Sequence, residues 1–254
     1  MLVAVLGVTG LLTALPTPAD RWQDLPFPPP PVGPIVPAGT LAGQVGVAAR
    51  ASAGQLVVQL STPDLAPGEA STGGQEYRLA AAVADPGGRA RALPLRGCGP
   101  GCFLAAHQWR EGTSRLTLTA AAPGWEGGQA TLAVPWPPRP ESRALRRVVA
   151  AMRAVPEFTL HELVTSDTTR GLGMPVTVRL SGTRFLASEP YGSGVAPVTT
   201  RLGSAGGRTR LALAYPAENI QIELTVAADG RILRETLAAP QHLVTRSFVY
   251  PRGP

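Results

Sequence analysis

The chain has 254 residues and a mass of 26.3 kDa, whereas a typical single domain has roughly 100–150 residues, so two domains are expected. Hydrophobic residues make up 44% and charged residues 16%, a balance that excludes both a disordered chain and a polytopic membrane protein. The formal charge is +6, but the arginines that carry it are scattered and not interleaved with aromatic residues, so no nucleic-acid binding is predicted. Solvated basic faces, including faces near anionic lipid headgroups, are favoured instead.

The first element is an apolar run from Leu2 to Leu15, LVAVLGVTGLLTAL. It is shorter than the roughly 20 residues that cross a bilayer core. Residues 1–15 are therefore interpreted as a truncated transmembrane helix or an export signal. Both interpretations place the rest of the chain on the extracytoplasmic side of the cell membrane. A buried strand or helix of a soluble fold is the alternative.

Residues 16–38 are rich in proline, which lacks the amide donor and fixes φ. This stretch is predicted to be an extended spacer that holds a folded body away from the membrane. From residue 39 to residue 136 the sequence reads as short strands separated by glycine turns. In RLTLTAAA, for example, apolar Leu116 and Leu118 alternate with polar residues. Residues 39–136 are predicted to form an immunoglobulin-like β-sandwich.

After a second proline-rich stretch, WPPRP, one amphipathic helix is predicted from about Ser142 to Val155, with Ser142 as its N-cap and Pro156 beyond its end. The remainder again reads as alternating strands, and Asp229-Gly230 marks a hairpin. The sequence therefore predicts a mainly β chain with one amphipathic helix. The β-sandwich is followed, in residues 141–251, by an α+β domain in which a curved antiparallel sheet covers that helix.

The two cysteines, Cys98 and Cys102, lie in the sequence GCGPGC, which can turn back on itself. A short-range disulfide fits this spacing in an oxidising compartment. A thiolate pair for a soft metal such as Cu(I) is the alternative, with His107 as a further ligand.

Three stretches resemble known families. LGVTGLLTALPTPAD resembles the last transmembrane helix of the copper-resistance D (CopD) family of copper-transport membrane proteins. The stretch from GCFLAAHQW to ATLAVPWP resembles the end of the CopC-like or YtkA-like β-sandwich. The last hundred or so residues, with FTLHELVTSD and LTVAADGRILRETLAAPQHLVTRSFVYP, are similar to the half-barrel of LolA-type and LppX-type lipoprotein carriers. These resemblances imply a membrane partner, a CopD-like transmembrane domain, and a role in copper handling.

A copper site is one candidate for the C-terminal half. His161 lies on the predicted strand FTLHELVTSD, Met174 follows it along the chain, and Met152 lies on the predicted helix. One histidine and two methionines could hold Cu(I). The competing interpretation makes His161 a surface or hydrogen-bonded residue and the methionines core residues.

No enzyme motif is found: Gly192-Ser193-Gly194 is not a nucleophile elbow, and there is no P-loop, HExxH or dinucleotide fingerprint. The sequence therefore predicts a non-catalytic, membrane-tethered accessory or binding module of a copper-transport or copper-resistance system. Two alternatives stay open. The C-terminal domain could carry or sense a lipid or other apolar ligand in a pocket between helix and sheet, or the chain could be a protein-binding ectodomain.

Overall fold

The computed structural model describes residues 33–64, 76–169, 171–188 and 190–251. The predicted membrane or export segment, residues 1–15, and most of the predicted spacer lie outside the described residues. The first strand begins at Val36, so the last three residues of the predicted spacer belong to a strand. Pro37 is tolerated there because this strand lies at the edge of its sheet.

The N-terminal half forms two antiparallel sheets that pack face to face as a β-sandwich. One sheet has the order β1-β2-β3-β7-β6 and the other β5-β4-β8-β9. Their shared core includes Val47, Val58, Leu116 and Leu118, all fully buried. The strands are β1 (Val36–Ala42), β2 (Val45–Ser52), β3 (Gln55–Ser61), β4 (Arg78–Ala84), β5 (Arg91–Leu93), β6 (Arg96–Gly99), β7 (Cys102–Ala106), β8 (Gly112–Ala122) and β9 (Trp125–Trp136).

The C-terminal half forms an eight-stranded antiparallel sheet of order β10-β13-β14-β15-β16-β17-β11-β12. The strands are β10 (Arg139–Pro140), β11 (Phe158–Ser166), β12 (Val176–Leu180), β13 (Val198–Ala205), β14 (Arg208–Tyr215), β15 (Ile220–Val226), β16 (Ile232–Ala239) and β17 (His242–Val249). The proline-rich stretch after β9 is not a free linker, because β10 pairs with β13. The predicted hairpin joins β15 to β16, and Gly230 has the positive φ, 90°, that its turn requires.

Helix α1 (Ser142–Arg153) covers one face of this eight-stranded sheet. Its buried residues are Ala144, Val148 and Met152, one to each turn, as the helical spacing predicts. The N-cap is Glu141 and not Ser142: the Glu141 carboxylate accepts hydrogen bonds from the backbone N–H groups of the first turn. A second helix, α2 (Gly182–Leu186), was not predicted, because five residues are too few to show a helical period.

The opposite face of the eight-stranded sheet packs against the sandwich. Leu41 and Ala48 on the sandwich side contact Ala238 and Leu243 on the other. Every residue of β2 is buried, because its odd-numbered residues face the sandwich core and its even-numbered residues face the eight-stranded sheet. The prediction of a mainly β chain with one amphipathic helix over an antiparallel sheet is confirmed. The sequence did not reveal that the two halves share a buried face.

Candidate functional site

The structure confirms the disulfide. Cys98 and Cys102 are joined, and neither is free. The alternative of a thiolate pair is therefore not realised.

Both ring nitrogens of His107 have hydrogen-bond partners: Nδ1 lies 2.8 Å from Nη2 of Arg91, and Nε2 lies 3.1 Å from Oδ1 of Asp85. Burial alone would raise the pKa of Asp85, but hydrogen bonds from Ser114 and His107 and the charge of Arg91 lower it. These contacts make His107 part of a structural network in the sandwich.

Two of the three residues predicted to bind copper, Met152 and His161, lie on opposite faces of the eight-stranded sheet. Met152 is fully buried beneath α1, where its sulfur accepts a hydrogen bond from the Tyr250 hydroxyl at 3.3 Å. His161 is exposed on the other face of the sheet, beside Thr177 at 3.0 Å. The side chain of Met174 is 73% exposed. Among the described residues, no group of three or more His, Cys, Asp or Glu residues is arranged to hold a metal ion.

The space between the helices and the sheet is filled by the chain's own side chains. Phe158 and Phe185 are fully buried there, with ring centroids 6.0 Å apart, and Phe248 packs 5.3 Å from Phe158. An apolar ligand between α1 and the sheet would have to displace these rings. The pocket that a lipid carrier requires is thus occupied in this arrangement.

A buried charge cluster lies in the same interior. Arg246 on β17 stands directly opposite Glu162 on β11 and Glu235 on β16. Its Nε donates to Glu162 at 2.5 Å and its Nη1 donates to Glu235 at 2.6 Å, while the Tyr191 hydroxyl donates to the second oxygen of Glu235 at 2.5 Å. Both carboxylates and the guanidinium are at least nine-tenths buried. Because the cluster holds two acids and one base, it carries one excess negative charge.

The pKa directions agree with this geometry. Burial alone would lower the pKa of Arg246, but the charges of Glu235 and Glu162 raise it above its ordinary value, so the guanidinium stays charged. Burial, reinforced by the charge of Glu235, raises the pKa of Tyr191 well above its ordinary value. Tyr191 is therefore a neutral hydrogen-bond donor. Arg246, Glu162, Glu235 and Tyr191 thus form one network inside the sheet's helix-covered face.

The outer face of α1 is strongly basic. Arg143, Arg146, Arg147 and Arg153 are all exposed, and the helix sequence contains no acidic residue. Within the described part of the chain, none of these four side chains forms an ion pair. The first three line a surface groove with Glu141 and Ala150. Glu141 is neutralised by Arg201, whose Nη2 lies 2.6 Å from its carboxylate, so the face as a whole is positive.

Comparison with known proteins gives no relative: no family model, no curated protein and no solved structure matches the chain. No helix within the described ranges is long and apolar enough to cross a membrane. Two features of the described residues bear on function, the disulfide and the unpaired arginines of α1.

Proposed function

We propose that this chain is a non-catalytic binding module on the extracytoplasmic side of a cell membrane, where it serves a copper-transport or copper-resistance system as an accessory domain. In this proposal residues 1–15 attach the chain to the membrane or export it, and the proline-rich spacer separates the folded body from the lipid. The observation that carries the proposal is the row of unpaired arginines on α1, which suits a surface of anionic headgroups.

The disulfide supports the assignment of the chain to the extracytoplasmic side of the membrane. Disulfides persist in oxidising environments and are rare in a reducing cytosol. The Cys98–Cys102 bond closes a loop of the sandwich, and the thiol of Cys102 would be buried if it were reduced. The copper-transport context is supported by the resemblance of the N-terminal segment and the sandwich to CopD and CopC-like proteins. Because Met152 and His161 lie on opposite faces of the sheet, the proposed role is docking of the module to its membrane partner and not storage of copper between these two residues.

The compartment can be tested by thiol trapping. When cells expressing the full chain are quenched in acid and the protein is alkylated in denaturant, we expect no modified cysteine without reductant and two after reduction. A Cys98→Ser variant, which leaves Cys102 unpaired, is the control for reagent access. Two alkylated cysteines in the unreduced wild-type chain would contradict the extracytoplasmic assignment.

The membrane-facing role of α1 can be tested with vesicles. We expect the chain to sediment with vesicles that contain phosphatidylglycerol and not with pure phosphatidylcholine, and we expect added salt to release it. Changing Arg143, Arg146, Arg147 and Arg153 together to glutamine should reduce binding at least roughly tenfold, since each arginine near an anionic surface contributes about 1 kcal/mol. All four are exposed, so the fold should be unaffected.

A matched control removes the same charge from the sandwich. Arg89, Arg96, Arg110 and Arg115 are also exposed and form no ion pair among the described residues. Their joint change to glutamine should leave vesicle binding nearly unchanged if α1 is the contact surface. Equal losses in the two quadruple variants would mean that net charge alone drives binding, and the assignment to α1 would then be wrong.

A further inference from the structure

A cleft of about 270 Å³ lies where the sandwich meets the eight-stranded sheet. The edge strands of the sandwich, β1 and β9, form one wall, and the sandwich-facing side of β14, β15 and β16 forms the other. Strand β1 approaches the sheet closely because Gly39 has no side chain: a Cβ atom there would lie 2.8 Å from side-chain carbons of Leu243 and Thr236. Since one water molecule takes up about 30 Å³ of liquid, the cleft has room for about nine waters or one small organic molecule.

The sheet side of the cleft carries two arginines in register. Arg210 on β14 stands opposite Thr225 on β15, and Thr225 stands opposite Arg234 on β16. Because neighbouring strands lie about 4.8 Å apart, the Cα atoms of the two arginines are on the order of 10 Å apart, and both long side chains can reach a ligand above Thr225. Arg234 is exposed, and no ion pair among the described residues includes it.

One carboxylate and several hydroxyl groups line the cleft beside these arginines. Oε1 of Glu223 accepts a hydrogen bond from Nε of Arg210 at 2.7 Å. Two arginines and one glutamate give the lining one excess positive charge, which favours a ligand with a single negative charge. The lining also includes four threonines, Thr40, Thr131, Thr225 and Thr236. A carboxylate accepts hydrogen bonds and a hydroxyl both donates and accepts them, so this set also suits the hydroxyl groups of a ligand.

The cleft and helix α1 lie on opposite faces of the eight-stranded sheet. Leu224 and Leu237 pack beneath α1, whereas Thr225 and Thr236, their neighbours in sequence, line the cleft. This is the alternation of successive side chains along a strand. A ligand therefore enters the cleft from solvent and not from a lipid surface bound by α1. The occupancy of the cleft does not depend on the membrane contact proposed for that helix.

We propose that this cleft binds a small, soluble, hydroxylated carboxylate of the sugar-acid type. The ligand's carboxylate accepts hydrogen bonds from Arg210 and Arg234, because the planar guanidinium fork matches the two oxygens of a carboxylate. Its hydroxyl groups donate to Glu223 and exchange hydrogen bonds with the threonines of the lining. The single charge of such a ligand balances the excess charge of the cleft, and its hydroxyl groups replace the water that the polar walls would otherwise bind.

Isothermal titration calorimetry of the full chain with sodium gluconate tests the site, with sodium chloride at equal ionic strength as the reference. We expect gluconate to bind at least roughly tenfold more tightly than acetate, which lacks hydroxyl groups, or sorbitol, which lacks the carboxylate. Arg234→Gln should weaken gluconate binding at least roughly tenfold, since charge-assisted hydrogen bonds are lost. The matched control is Arg179→Gln, which removes an exposed arginine of the same sheet outside the cleft and should leave binding unchanged.

A second variant tests the recognition of hydroxyl groups. Glu223→Gln replaces one carboxylate oxygen, an acceptor, with an amide donor, so it should narrow the difference in affinity between gluconate and acetate. The proposal is overturned if gluconate binds the wild-type chain no more tightly than acetate does. It is equally overturned if Arg234→Gln and Arg179→Gln lose the same affinity, because net charge alone would then explain the binding. Neither result depends on vesicle binding by α1, so the two proposals fail separately.

Discussion

Replacing Arg246 with alanine is expected to lower the free energy of unfolding by about 3–5 kcal/mol, because it leaves two buried carboxylates without their counter-ion. Glu162 and Glu235 accept 2.5 Å and 2.6 Å hydrogen bonds from the guanidinium and have little access to solvent. Part of the loss comes from the guanidinium's packing over the Phe185 ring, 5.9 Å from its centroid. Urea unfolding followed by circular dichroism measures the change.

Two further variants separate the charge effect from simple loss of a side chain. Arg234→Ala removes an exposed arginine from β16 and should change stability by less than about 0.5 kcal/mol. Replacing the whole network at once, with Arg246→Met, Glu162→Leu, Glu235→Leu and Tyr191→Phe, should cost much less than Arg246→Ala alone, since no unpaired charge remains. A combined variant as unstable as the single one would show that the cluster contributes through packing and not through charge.

The alternation of residues along two strands already indicates that the charges of the cluster are buried. Glu162 follows Phe158 and Leu160 at intervals of two, and Arg246 stands between Val244 and Phe248 in the same phase. A charged residue in the apolar phase of a strand predicts a buried charge. What the sequence does not give is the register: only the pairing of β17 with both β11 and β16 puts one arginine between two glutamates.

The separation of two of the predicted copper ligands, His161 and Met152, has a similar cause. Period-two alternation already separates His161 from Phe158 and Leu160, and the structure puts the helix on the side of the phenylalanine. Met152 lies on that side as well, so it cannot meet His161 across the sheet. Which face the helix would cover depends on long-range packing. Local propensity defined α1 and the hairpins well, but it did not reveal the shared face of the two halves, where Arg50 is buried.

Replacing Phe158 with alanine is the second change expected to have a large effect, a loss of about 3–5 kcal/mol in the free energy of unfolding. Phe158 is fully buried, and its ring lies 5.3–6.0 Å from the rings of Phe248, Tyr250 and Phe185. Its removal takes the contacts from all three rings and leaves a cavity that close-packed neighbours fill only in part. Val249→Ala is the control, because Val249 pairs with Thr159, the residue after Phe158, but is 53% exposed.

The same variant distinguishes the proposed accessory module, whose interior is filled by its own side chains, from a lipid carrier, whose interior would hold a ligand. If the interior beneath α1 is packed solid, the wild-type chain should purify without lipid and its Tm should not respond to a small apolar probe such as benzene. Phe158→Ala, with a new apolar cavity at this point, should be stabilised by the probe. A wild-type chain that already binds the probe, or that carries extractable lipid, would show that the aromatic cluster opens in solution. The α1–sheet interior would then be a ligand site, and the carrier function would replace the docking function proposed above.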